Sequence, residues 1–226
     1  MKGLFLTFEG TEASGKSTQI SLLAERLRGL HLTVHTTREP GGTALGEEIR
    51  HILKHSATGS LMSPMTELLL MNASRAQLVS EIITPALERG EIVLCDRFFD
   101  SSVAYQGYGR GLDLALVRNV IAAAVGDLRP DLTLLMAVPV GVSEHRRGLR
   151  EAAQGAPQDR FEKSEREFFE RVEQGYAAVA KAEPARIKMV DGSGSQKAVT
   201  RAIWERVEPM VIARFGLGSK SDAEIP

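Results

Sequence analysis

Gly10-Thr11-Glu12-Ala13-Ser14-Gly15-Lys16-Ser17 decides the fold, because it sits between a short β-rich run at 3–9 and a helical pattern at 18–28. The stretch fits Gly-x-x-x-x-Gly-Lys-[Ser/Thr], the phosphate-binding loop, in the strand-to-helix setting which that loop requires. The chemistry accounts for the spacing. Glycines let the backbone curl until successive N–H groups point inward around a phosphate. The helix N-terminus adds the positive end of its dipole. Lys16 is placed to reach the β- and γ-phosphates of a nucleotide, and the Ser17 hydroxyl to bind Mg²⁺. Nucleotide binding is therefore expected from the whole loop: Gly10, Thr11, Glu12, Ala13, Ser14, Gly15, Lys16, Ser17 and Thr18.

Outward from the loop, strands and helices alternate. Leu32 to Thr37 reads as a second strand and Thr43 to Lys54 as a helix. Ser63-Pro64, an N-cap followed by proline at the first helical position, opens a long helix that Gly90 ends, with Pro85 kinking it or splitting off its last turn. Short apolar runs at 91–96 and 131–138 have the character of strands buried on both faces. Asp113 caps a helix to about Val125. Helices are expected at 141–152 and 162–182, a last strand at 186–191 and a last helix at 195–215. The pattern implies an α/β chain: a five-stranded parallel sheet with helices on both faces. One domain covers 1–216, and the Gly/Ser/Asp-rich tail at 217–226 is expected to be disordered.

Composition narrows the class. The chain has 226 residues, with 28 Lys plus Arg against 29 Asp plus Glu, a formal net charge of −1. Such a balance offers no global attraction to nucleic acid or to an anionic membrane, so neither is expected as a partner. No apolar run reaches membrane-spanning length. The N-terminal apolar run is too short for a signal peptide. The single cysteine, Cys95, excludes an intramolecular disulfide and permits a reducing cytoplasm.

A phosphate loop alone leaves a kinase, a GTPase switch, a motor and a transporter ATPase open. Asn-Lys-x-Asp, which a GTPase wants for guanine, is absent, and the chain is too small for transport machinery. A nucleoside monophosphate kinase fits the size and needs a second anion pocket. Cys95-Asp96-Arg97 supplies one candidate: Asp96 ends a buried strand, where open α/β sheets bind ligands, and can hold Mg²⁺ directly or through water. Arg97 faces the transferred phosphate in that arrangement. Arg38-Glu39-Pro40-Gly41-Gly42-Thr43, a Gly-Gly turn opening a helix beside an arginine, is a second candidate.

The ordered set Phe8-Glu9-Gly10…Gly15-Lys16-Ser17-Thr18, Arg38 to Thr43, Ser74-Arg75-Ala76-Gln77, Asp96 to Gly111 and Asp159-Arg160-Phe161-Glu162 resembles the bacterial thymidylate kinase family. The likeness runs from about residue 3 to about 212. It implies a three-layer P-loop kinase fold with a helical lid at about 146–162. The implied reaction moves the γ-phosphoryl group of ATP to dTMP, giving dTDP and ADP, with Mg²⁺. Arg38 and Arg97 would bind the dTMP phosphate, Arg75 would reach the thymine O4 edge, and Ser102 and Gln106 would face the base. Tyr105 would pack under the sugar and disfavour a 2′-hydroxyl. Glu12 stands where the family carries an acid near the acceptor sugar and metal. The resemblance also implies a homodimer built on the long helices.

The phosphate loop carries Glu12 and no arginine, which resembles the lid-arginine class of the family. The physics agrees: Arg146, Arg147 and Arg150 are packed into five residues, with Arg160 beyond the stretch 152–158. A lid closing such residues, Arg150 and Arg160 above all, over the phosphates stabilises spread negative charge and excludes water. Met71 stands where the family usually has a phenylalanine stacked on thymine; its soft sulfur can pack against a ring face. It keeps an alternative open, the same machinery with another pyrimidine acceptor. A nucleotide switch with no acceptor is the alternative of another class. His51 and His55 read as a surface pair rather than a metal site, and Cys95 as a packing residue.

Overall fold

Alternating hydrophobics decide which way the first strand faces. The structure, a computed structural model, describes residues 3–56, 59–154, 160–161 and 165–216; of residues 60, 147 and 150–154 it describes the backbone only. In β1 (Leu4–Glu9), Leu4, Leu6 and Phe8 point to one face of the sheet and Phe5, Thr7 and Glu9 to the other. The remaining strands are β2 (Val34–Arg38), β3 (Ile92–Asp96), β4 (Leu132–Ala137) and β5 (Ile187–Asp191). All pair in parallel, in the order β2-β3-β1-β4-β5.

Helices cover both faces, as a parallel sheet requires. Helices α1 (Lys16–Gly29) and α9 (Gln196–Phe215) bury Leu23, Leu27, Ile203 and Val207 against Leu6, Phe8, Leu94 and Leu134. On the other face lie α2 (Ala44–His55), α3 (Pro64–Leu78), α4 (Thr84–Glu88), α5 (Phe99–Ser102), α6 (Leu114–Val125) and α8 (Arg166–Ala182). The backbone of α7 (Val140–Gln154) follows β4. No described helix is long and apolar enough to cross a membrane.

Two local features depart from a plain helical reading. The long helix expected to reach Gly90 runs as α3, then as a π-helical turn at Val79–Ile83, then as α4. Pro85 accounts for it: its ring would strike the carbonyl of Glu81 in α-helical register, and a widened turn avoids the clash. The stretch from Phe99 to Gly109, where no element was expected, is helical: α5 continues as a π-helical segment at Val103–Gly109. Gly107 and Gly109 there are contact points. A Cβ on Gly109 would stand 2.7 Å from the Phe168 ring of α8.

The ends of β1, β2 and β3 place the phosphate loop, Arg38 and Asp96 along one edge of the sheet. The order reverses beside β1, so this edge holds the crevice in which open α/β sheets bind ligands.

Candidate active site

The phosphate loop takes its shape from residues with positive φ: Gly10 at 133°, Ala13 at 57° and Gly15 at 93°. Gly10 is obligatory by contact as well, since a Cβ there would lie 2.5 Å from the carbonyl oxygen of Met136. Lys16 opens α1 and turns its Nζ back over the loop, donating to the carbonyls of Gly10 (3.2 Å) and Thr11 (2.8 Å) and to Ser14 Oγ (3.3 Å). Burial, reinforced by the Arg97 charge, lowers its ammonium from the ordinary lysine range to about 8, against the pull of Asp96, Glu12 and Glu9. The next residue, Ser17, donates from Oγ to Asp96 Oδ2 at 2.8 Å across 79 positions of sequence.

Arg97 is the junction of the site. Its φ of 70° is left-handed, an unfavourable conformation for a residue with a Cβ, and it turns the chain sharply after β3. The guanidinium pairs with Glu12 Oε1 at 2.9 Å and donates to the hydroxyls of Tyr176 (2.9 Å), Tyr105 (3.1 Å) and Ser101 (3.2 Å). Behind it the buried Glu9 carboxylate accepts from Phe98 N (2.8 Å), Ser101 Oγ (2.6 Å) and the Tyr176 hydroxyl (2.9 Å). Burial and the nearby Asp100 push Glu9 up, while Arg97 and its hydrogen bonds pull it down. Burial likewise raises the Tyr105 and Tyr176 phenols, so both stay protonated and able to donate.

Arg75 emerges from α3 and is fully buried, its guanidinium 2.7 Å from Glu39 Oε2. Nε donates to the same oxygen at 2.8 Å, Nη1 to Asn72 Oδ1 (2.6 Å) and Ser102 Oγ (3.0 Å), and Nη2 to the carbonyl of Phe98 (3.2 Å). Burial raises the Glu39 carboxyl to about 7, and Arg75 offsets only part of that rise. Arg38, on the open side, makes two 3.0 Å hydrogen bonds to Glu47. Glu39 is joined to Pro40 by a cis peptide bond.

These groups surround one cleft of about 860 Å³. Residues 12 to 18 of the phosphate loop form one end, and Asp96 and Arg97 stand beside it. Arg38, Met71, Arg75, Ser102, Tyr105 and Gln106, all brought forward by the sequence, line it too, whereas Gly10 and Thr11 of the loop do not. Arg160 is placed elsewhere. Its Nη2 pairs with Glu67 of α3 and its Nε donates to the carbonyl of Leu53 at 3.0 Å; among the described residues, Phe161 rather than Arg160 lines the cleft from that turn. The side chains of Arg147 and Arg150, residues 155–159 and 162–164 of the expected lid, and the tail at 217–226 lie outside the described residues. Arg146 does line the cleft, and its Nη1 donates to the carbonyl of Gly192 at 2.9 Å.

Several lining or supporting residues were not singled out from sequence. Arg50 and Lys54 face the cleft from α2, and their four-residue spacing was a usable sign of a shared basic face; His55, read from sequence as half of a surface pair, lines the cleft beside them. Glu9 and Ser101 fall inside the quoted motifs but were given no role there, and Tyr176 and Glu67, which act through residues far away in the chain, are marked by no local pattern.

Comparison with known proteins agrees with this geometry. The family model described as thymidylate kinase matches residues 8–203. The thymidylate kinase of Geobacter sp. (strain M21) is 51% identical over 193 residues, 85% of each chain. That of Pelobacter propionicus is 50% identical over 207 residues, 91% of this chain and 94% of its own. The crystal structure of thymidylate kinase from Ehrlichia chaffeensis superposes with a TM-score of 0.74 at 33% identity, covering 92% of this chain and 99% of that one. A phosphate loop and a second, arginine-lined pocket thus share one cleft in a chain that matches these proteins along nearly its whole length, and the chain belongs to the thymidylate kinase family of nucleoside monophosphate phosphotransferases.

Proposed function

We propose that the chain transfers the γ-phosphoryl group of ATP to dTMP, giving dTDP and ADP, as a step of dTTP biosynthesis. The observation that carries this reading is the grip of Arg97 on Glu12: the acceptor side of the cleft is tied directly to the phosphate loop at 2.9 Å. ATP lies with its phosphates over residues 10–18. The dTMP phosphate lies against Arg38 and Arg97. Thymine lies among Met71, Arg75, Ser102 and Gln106, and Tyr105 lies beneath the deoxyribose.

Transfer needs no covalent intermediate on the protein. An oxygen of the dTMP phosphate, already ionised near pH 7, forms the new P–O bond as the β,γ-bridging oxygen departs with ADP. The protein aligns two anions and neutralises their charge. Lys16 and Arg97 do so from within the cleft, and the arginines of a lid at about 146–162 do so from above, with Arg146 and Arg150 as the candidates. Ser17 Oγ and Asp96 Oδ2 converge at 2.8 Å as a hydroxyl and a carboxylate, the hard oxygen donors that suit Mg²⁺. They would hold the ion, which when bound neutralises charge on the β- and γ-phosphate oxygens. We read residues 1–216 as one domain and the chain as cytoplasmic, since its one cysteine, buried in β3, ties it to no oxidising compartment. A homodimer across α3 is part of the reading. Leu69 of α3 and Leu61 just before it are exposed, and light scattering at twice the monomer mass is the expected result.

The test is coupled ADP release with Mg·ATP and, in parallel, dTMP, dUMP, UMP, dCMP, dGMP and dAMP. A strong rate with dTMP is expected. Comparable rates with several pyrimidine nucleotides would move the function to a broader acceptor class, and stimulation by none would remove the kinase reading.

A further inference from the structure

Gln106 lines the cleft, yet the orientation of its amide is set outside it. Its Nε2 donates to Glu67 Oε1 at 2.7 Å. Glu67 does not line the cleft; it lies on the inner side of α3 and is 1% exposed. Its oxygens also accept from Arg110, whose Nε is 3.3 Å from each, and Oε2 pairs with Arg160 Nη2. Arg160 is held in turn by the carbonyl of Leu53, and its own backbone N–H by the carbonyl of Lys54 at 3.3 Å. Three side chains, two from the helical stretch ending at Arg110 and one from the turn at Arg160, thus pin one buried carboxylate. An ionised carboxylate only accepts hydrogen bonds. The Gln106 amide can therefore face it only with its NH₂, and its carbonyl oxygen is left for the cleft. Among the described residues nothing donates to that oxygen.

We propose that Glu67 is a specificity-determining positioning residue, which holds the Gln106 amide so that its carbonyl oxygen meets the acceptor base. The inference rests on the dTMP reading above and extends it. A carbonyl oxygen accepts from the imide N3–H of thymine or uracil. Cytosine presents an unprotonated N3 there, so two acceptors would oppose each other. A buried polar group left unpaired costs more than the hydrogen bond adds, which makes such a contact a strong discriminator. Glu67 thereby selects imide bases without touching them.

The experiment compares kcat/KM for dTMP and dCMP in the full-length enzyme, in Glu67→Gln, in Gln106→Met and in the double variant. Glutamine at 67 can donate as well as accept, so it releases the Gln106 amide to turn. The dTMP-over-dCMP ratio is expected to fall about tenfold or more in Glu67→Gln, chiefly through KM. The same substitution in the Gln106→Met background should leave the ratio unchanged, because the effect passes through Gln106. An equal loss for both substrates in Glu67→Gln, with the ratio intact, assigns Glu67 a purely structural role and overturns the proposal. Absence of any dTMP activity in the unaltered enzyme instead defeats the function on which it rests. Should Glu67→Gln fail to fold, the side-chain amide protons of Gln106 in the unaltered protein decide by NMR, assigned through their loss in Gln106→Met. Slow solvent exchange of one of them supports the bond to Glu67, and exchange as fast as that of surface glutamines refutes it.

Discussion

Lys16 shows how one side chain carries both the recognition of a nucleotide and a proton. Its ammonium is held at about 8 by burial, whereas a free lysine sits near 10.5. A bound triphosphate restores the charged form. At pH 8 the free enzyme is about half protonated there, so binding should take up about half a proton per nucleotide. The sign follows: the bound state holds more protons, so nucleotide affinity declines as pH rises through 8. Calorimetry of nucleotide binding at pH 8, in two buffers of different ionisation enthalpy, should show this uptake, and Lys16→Met should abolish it. Equal heats in both buffers would refute it. The same residue marks how far single positions are legible. Lys16, Ser17 and Asp96 were singled out by type and spacing, and they lie in the cleft together. Arg160 was singled out by its motif and its place in the expected lid, and neither says which carboxylate it will find; it pairs with Glu67.

At the scale of elements, the crossing of α8 over the helical stretch at 99–109 governs the site. Gly175 of α8 lets the two backbones approach: a Cβ there would lie 2.9 Å from Ala104 Cα and 3.0 Å from Tyr108. The adjacent Tyr176 carries the hydroxyl shared by Arg97, Ser101 and Glu9. Gly175→Ala should therefore overpack the crossing, costing about 1–3 kcal/mol of stability. It should lower kcat/KM as well, by shifting Tyr176 away from Arg97. Urea unfolding and steady-state kinetics on the same variant check both effects, and a neutral outcome in both would contradict the close-packed crossing. This element was the least legible. The strands and most helices follow apolar spacing, and Asp113 to Val125 is a helix capped by Asp113 as read, its Oδ1 accepting from Leu116 N. No element was expected over 99–109, and its glycines carry no periodic signal. They are instead the places where α6 and α8 press against a helix, which only packing reveals.

Across the whole molecule, the cleft is assembled from the ends of three strands and from helices that arrive from both directions along the chain. Ligands that bind both ends of such a cleft stabilise the native state in proportion to their occupancy. With ATP and dTMP each near a hundred times its dissociation constant, each adds about 2.7 kcal/mol. Each should then raise the midpoint of thermal unfolding by about 5–10 °C for a chain of this length. Calorimetric scans with one ligand, the other and both are the check. A shift with ATP alone and none with dTMP would argue for a nucleotide switch.

The sequence by itself determined the α/β class, the strand-loop-helix start and the nucleotide end of the cleft, because those depend on periodicity and on short, chemically constrained spacings. Only the tertiary structure decided how the buried charges pair. Glu67 meets Gln106, Arg110 and Arg160 from 39, 43 and 93 residues away, and Glu9 meets Tyr176 across 167. A buried carboxylate must be satisfied by whichever donors the fold brings to it, and no local pattern records that choice.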